Sequence, residues 1–177
     1  MTRTKWAIDA AHSSVDFSIR HMMIANVKGT FQNFSAIVEA DVTDLTSANI
    51  EFTVELSSID TRNKDRDGHL LSADFFDVEK YPSMTFHSTD IQKADEGEYN
   101  VTGELSLHGF TRPETFTVTF EGQGKDPWGN EKVGFSAKGS INRADFGLTW
   151  NSALETGGVL VGDKVKVNLQ IEASKAE

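Results

Sequence analysis

Cysteine is absent from the 177 residues, so no disulfide framework, thiol nucleophile or Cys-based zinc site can form. Basic charge is scarce: 17 Lys and Arg face 27 Asp and Glu, for a formal net charge of -10 and a pI near 4.9. Nucleic acids and anionic membrane surfaces both select clustered Lys and Arg. Neither is expected as the main partner, although local basic patches are compatible with the balance. Long apolar runs are missing too. Nothing approaches the stretch needed to cross a bilayer, and the opening MTRTKWAID lacks the apolar centre of an export signal. A cytoplasmic protein without stable membrane insertion is therefore expected. With 38% hydrophobic and 25% charged residues, residues 1–177 read as one folded domain with a substantial core.

What the chain does have is alternation. Ile50, Phe52, Val54 and Leu56 alternate with Glu51, Thr53 and Glu55, and Tyr99, Val101, Leu105 and Leu107 share a face with Gly103 among them. Phe116, Val118 and Phe120 repeat the pattern, as do Val165, Val167, Leu169 and Ile171. Shorter versions run through Val15–Phe17–Ile19, Phe34–Ala36–Val38–Ala40 and Val133–Phe135–Ala137. Period two marks antiparallel strands with one dry and one wet face. Turn residues around Gly97 and around Pro127 and Gly129 separate them. The spacing predicts an all-β chain of about eight strands from residue 14, preceded by a short strand at Trp6–Asp9, forming a barrel or sandwich. Gly103 and Gly139, within strands, predict bends or close approach of another group. Residues 147–163, which include the run TGG, read as a loop.

Residues 63–74, NKDRDGHLLSAD, interrupt the alternation. Asn63, Asp65 and Asp67 alternate like calcium ligands, with Gly68 sixth and Asp74 twelfth. Such a loop needs a helix on each side, and here a strand precedes it; Asp74 is also shorter than the closing glutamate. A helix near residues 67–76 is the better reading, capped by Asp65 or Asp67, with Leu70, Leu71 and Phe75 on one face and Phe76 beyond. It predicts an apolar lid over one end of a barrel.

Several stretches together carry a resemblance: WAIDAAHSSVDFSIRHM at 6–22, VKGTFQNF at 27–34, SSIDTRNKDRDGHLLSADFFDVEKYPSMTFHS at 57–88, GELSLHGFTRP at 103–113 and INRADFGL at 141–148. In this order they resemble the YceI-like family of polyisoprenoid-binding proteins. That resemblance implies an extended lipocalin-like barrel of eight antiparallel strands. Its interior would hold a long isoprenoid, such as a polyprenyl phosphate or quinone-like lipid. It also implies a possible homodimer and no general enzymatic activity; no cofactor is expected.

Alternation and resemblance together nominate a ligand site. Phe17, Ile19, Phe34, Val38, Phe52 and Val54 are expected to line it from the first strands. Phe86, Leu105, Leu107, Phe116, Val118, Phe135 and Phe146 are expected from the later ones. Leu70, Leu71, Phe75 and Phe76 would form the lid. Such side chains suit a tail that carries methyl groups and double bonds but no hydrogen-bonding atoms. The same surface would also make an ordinary solid core, and an eight-stranded barrel can be either. His21 and His69, within matching motifs, and Arg143 are candidates for a head group. The five histidines show no HExxH or short HxH spacing, so no metal site is expected. No GxSxG elbow is present. The alternative to a binding protein is an enzyme acting on a lipid or amphiphile through rim histidines or a bound metal.

Overall fold

Apolar and polar residues alternate along most of the chain. In the computed structural model, which describes residues 4–151, 154 and 160–176, that alternation becomes a set of β-segments and one α-helix among the described residues. The segments are β1 (Thr4–Ile8), β2 (Ser14–His21), β3 (Ala25–Phe31), β4 (Phe34–Asp41), β5 (Asp44–Glu55) and β6 (Ile59–Asp60). Helix α1 (Lys64–Leu71) follows, then β7 (Ser83–Asp95), β8 (Glu98–Leu107), β9 (Phe110–Lys125), β10 (Glu131–Asn142) and β11 (Val161–Lys175).

The pairings reduce these to eight staves. β1 continues into β2, β3 into β4 and β5 into β6; each such stave, like β7 to β11, runs antiparallel to its neighbours. The ring closes on β11, which pairs with β2 (Leu169 opposite Val15) and, further along, with β1 (Ala173 opposite Ile8). The result is a closed eight-stranded antiparallel barrel, one of the two architectures the alternation allowed and the one the family resemblance implied, with the opening strand forming half of the first stave.

The three broken staves break at one level. A single turn at Ala10–His12 interrupts the first, Gln32 and Asn33 the second, and a turn at Leu56–Ser58 the third. Backbone groups released there find partners across the break. Gln32 N–H donates to Ser58 C=O (3.2 Å), Glu55 N–H to Asn33 C=O (2.9 Å) and Asp9 N–H to Glu172 C=O (2.8 Å). Such partners are needed, because an unpaired backbone group away from water is costly. The staves are also long: β9 has 16 residues, about 53 Å of contour at ~3.3 Å per residue. The barrel is correspondingly elongated.

Side chains divide by parity. On β8, Tyr99, Val101, Leu105 and Leu107 are buried while Asn100 and Glu104 face water. Gly103 and Gly139 lie where a neighbouring phenylalanine is laid against the wall. A Cβ at Gly103 would stand 2.5 Å from Phe86 Cζ, and one at Gly139 2.6 Å from Phe116 Cδ1. Both glycines thus serve a close approach. A ring lying flat on a neighbouring strand takes up space along the wall instead of the lumen.

The helix begins earlier and is shorter than expected. Asn63, not Asp65 or Asp67, caps it: its side chain accepts from Arg66 N–H (3.0 Å). Asp67 is instead turned back to Thr61, accepting from its N–H (3.0 Å) and hydroxyl (2.5 Å). Helical geometry ends at Leu71, so Phe75 and Phe76 lie on the following turns, tied by Phe75 N–H to Ser72 C=O and Phe76 N–H to Leu70 C=O. Asp74 pairs with His69 (2.9 Å). Two carboxylates of the calcium-like stretch, Asp67 and Asp74, are therefore occupied by other partners. Of the predicted 147–163 loop, Val161 to Asp163 already belong to β11, and its TGG run lies outside the described residues.

Candidate functional site

Among the described residues, two cavities are found in the lumen. The larger, about 490 Å³, lies at the end where α1 crosses the barrel. The smaller, about 170 Å³, lies deeper among β4, β5, β7–β11. Val15, Met84, Ile141 and Val167 line both, so the cavities meet at a common waist. Among the described residues the smaller cavity is walled almost wholly by apolar side chains, with Thr85 and Ser136 the exceptions, so a polar group would find few partners there.

Polar groups gather at the outer end of the larger cavity. Arg143 is buried, 4% exposed. Its Nε donates to Gly162 C=O (2.8 Å), Nη1 to Leu148 C=O (2.6 Å) and Trp150 C=O (3.0 Å), and Nη2 to Val161 C=O (3.4 Å). Burial pulls its pKa below the ordinary arginine value, against the opposing charge of Asp163. The guanidinium nevertheless stays charged. Among the described residues it forms no ion pair. It pins the start of β11 to the segment after β10 and leaves a positive charge in the cavity wall. His69 faces Phe75 (5.0 Å between centroids) and Trp150 (4.8 Å) edge-on. His21 joins it in the lining, beside Asn63, Asp65 and Arg66 of the rim.

The remaining histidines lie apart. His87 pairs with Glu51 (3.2 Å), and His108 Nδ1 lies 2.9 Å from Phe146 C=O. His12 sits at the break in the first stave, 2.8 Å from Asp9 and 3.4 Å from Glu172. Those three residues could together ligate a metal, their atoms lying within 4.8 Å of one another. Lys132 Nζ lies 3.6 Å from the same Asp9 oxygen, so the arrangement reads as an ion-pair network.

The structure sorts the sequence-predicted residues into the two cavities. Phe17, Ile19, His21, His69, Leu70, Phe75, Phe76, Leu107 and Arg143 line the larger. Val38, Phe52, Val54, Phe86, Leu105, Phe116, Val118 and Phe135 line the smaller. Phe34, Leu71 and Phe146 lie outside both. Phe34 stacks on Phe52 (5.8 Å) next to a stave break, Phe146 is fully buried under the barrel end, and Leu71 packs against the same core. Sequence reasoning missed Phe31, Met84 and Trp150. Phe31 ends the quoted VKGTF run with Val27 and Gly29 at period two, a signal that was available; Trp150 lies in irregular chain that has no periodicity.

A family model for the YceI-like domain matches residues 6–173. A UPF0312 protein of Staphylococcus epidermidis is 44% identical over 172 residues, covering 97% of this chain and 98% of the relative. The crystal structure of BcnA from Burkholderia cenocepacia superposes with a TM-score of 0.82 at 27% identity, covering 93% of this chain and 98% of that one. A polyisoprenoid binding domain from Saccharophagus degradans, implicated in plant cell wall breakdown, has a TM-score of 0.72 at 13% identity and covers 97% of this chain and 98% of its own. That last likeness is one of fold.

Proposed function

This chain belongs to the YceI-like family, and on that premise we propose that it binds one long apolar lipid, a polyisoprenoid or a chain like it, inside the barrel. The observation that carries the proposal is the pair of abutting apolar cavities. A cavity of ~150 Å³ holds a benzene ring, so the larger has room for roughly 20 carbon atoms and the smaller for roughly seven. Each isoprene unit taken from water would contribute ~2–3 kcal/mol at ~25 cal/mol per Å² before ordering costs. The tail enters the smaller cavity first, because among the described residues the charged and histidine side chains of the lining lie at the other end. A head group stays near His21, His69 and Arg143, where an anionic oxygen meets the buried guanidinium. The function is sequestration or carriage, and the barrel performs no chemistry on its cargo. A tail longer than the lumen protrudes at the rim, where a second copy could cover it.

The test is mass spectrometry of the gently purified protein, first native and then after organic extraction. A stoichiometric species built of isoprene increments is expected. An empty protein that also takes up no added prenol would overturn the proposal.

A further inference from the structure

The net charge of -10 conceals a local reversal. Lys28, Lys138, Lys164 and Lys166 are all exposed and border one open groove on the outer wall of β10, β11, β2 and β3, together with Arg62. Register brings them together: Lys166 stands opposite Ser140 and Ser18, Ser18 opposite Lys28, and Lys138 opposite Asn168. Asp16 and Asp60 share the groove, and Asp60 already accepts from Gln32 and from Arg62 N–H. Among the described residues none of the four lysines forms an ion pair. The lysines face serine and asparagine across the strands, so no two stand directly opposite and the sheet tolerates the cluster, its positive charge left to solvent.

The same strands end in an unusual turn. Ile24 N–H donates to His21 C=O (3.3 Å), with Met22 at φ 54° and Met23 at φ 64°. Left-handed geometry at two successive central positions normally selects Asn and Gly, because other side chains are strained there. Met22, Met23 and Ile24 are also 44%, 53% and 76% exposed. The tip is held in place: Arg20 Nη2 donates to Met23 C=O (3.1 Å) and Met22 N–H to Leu160 C=O (2.7 Å). Arg20, His21 and Leu160 line the larger cavity, so the tip stands at its mouth. Strained backbone and exposed apolar side chains coincide where packing calls for neither.

We propose that this face docks on an anionic lipid bilayer, with the Met22–Ile24 tip entering the interface and the lysine wall meeting the headgroups. Lys28 and Lys166 lie three to four residues back from the turn, about 10–13 Å along the strands. A tip buried ~5–10 Å into the acyl boundary therefore leaves their ammonium groups near headgroup level. Salt confines surface charge to ~8 Å at physiological ionic strength, so the membrane meets the wall and not the molecular net charge. The surface stands on its own geometry whether or not the lumen holds lipid; if it does, docking sets the cavity mouth against the lipid phase.

Flotation of the full chain with vesicles tests this. Binding is expected to phosphatidylglycerol-containing vesicles and not to pure phosphatidylcholine, falling as salt rises. Lys28→Gln and Lys166→Gln should each weaken it roughly fivefold. Met22→Asn with Met23→Gly should raise the unfolding midpoint, since the turn is relieved, while cutting vesicle binding by roughly tenfold or more. Trp128→Ser, on the exposed hairpin at the opposite end of the barrel, should leave binding unchanged. Equal binding by the Asn–Gly variant, loss of binding in Trp128→Ser, or indifference to lipid charge would each overturn the proposal. So would a wild-type dimer that ignores vesicles and becomes monomeric in the Asn–Gly variant, which would assign the tip to a second copy. Extracted lipid, measured in parallel, separates the two readings: retained cargo with lost docking leaves the lumen's function intact.

Discussion

On the proposed function, Val167→Phe should shorten the isoprenoid that binds best. Val167 is one of four residues shared by both cavities, and it lies on β11 between Gly139 of β10 and Phe17 of β2. A ring at this waist closes the passage to the smaller cavity of about 170 Å³ and leaves the larger one of about 490 Å³ intact. The lost space corresponds to roughly seven carbons, or about one isoprene unit. Removing that burial costs ~2–3 kcal/mol gross. Less ordering of the tail offsets part of it, leaving ~1–2 kcal/mol, or roughly a fivefold to thirtyfold change in Kd. The assay is native mass spectrometry with a series of prenols from about 15 to about 30 carbons. Wild type should favour about 25 carbons over about 20 by at least roughly fivefold, and the variant should treat them within about threefold. Overpacking can cost ~1–3 kcal/mol, so an unfolding curve must first show that the variant folds. A folded Val167→Phe protein with the wild-type length preference would refute the continuous lumen.

Three further outcomes follow from the geometry. Arg143→Met strips hydrogen bonds from four carbonyls and should destabilise by ~3 kcal/mol or more in urea, with Arg143→Lys recovering only part of it because an ammonium lacks the planar fork. Gly139→Ala drives a methyl group against the Phe116 ring and should cost ~1–3 kcal/mol; a neutral result in the same melt would mean that the ring turns into the lumen freely. The Asp9–His12 pair gives a pH signature. Asp9's hydrogen bond and charge raise His12 above its ordinary 6.5, so its contribution is complete below 6.5 and disappears as pH rises through the elevated folded value. The bond to His12 lowers Asp9 below 3.8, so its contribution is complete above 3.8 and disappears as pH falls through the lowered value. His12→Gln should therefore be less stable than wild type at pH 5 and indistinguishable from it at pH 9; equal deficits at both would show that the ion pair is not the cause.

The fold was legible because parity is a local property. Tyr99, Val101, Leu105 and Leu107 declare an inner face without knowledge of their neighbours. Parity does not give height along the barrel, which is why Phe34 was placed in the lumen and lies beside a stave break. Parity also has nothing to say about the irregular chain that brings Trp150 to the rim. The cap was ambiguous for another reason: NKDRD offers three side chains that can cap a helix, and the choice fell to Asn63 because Thr61 holds Asp67. The lysine wall was not legible at all. Lys28, Lys138 and Lys166 are remote in sequence and become neighbours only through the register of four strands, which depends on the closed barrel.

Closure itself has a consequence for how the molecule comes into being. The ring is sealed where Ile8 meets Ala173 and Val15 meets Leu169. Synthesis runs from the amino end, so β1 and β2 leave the ribosome long before β11 and wait with unpaired edges. Such non-local pairing is slow, and open edges invite the wrong neighbours in the interval. Until β11 arrives there is no lumen and no waist. Any cargo could be enclosed only once β11 has sealed the ring, so loading would compete with lumen collapse in the finished barrel.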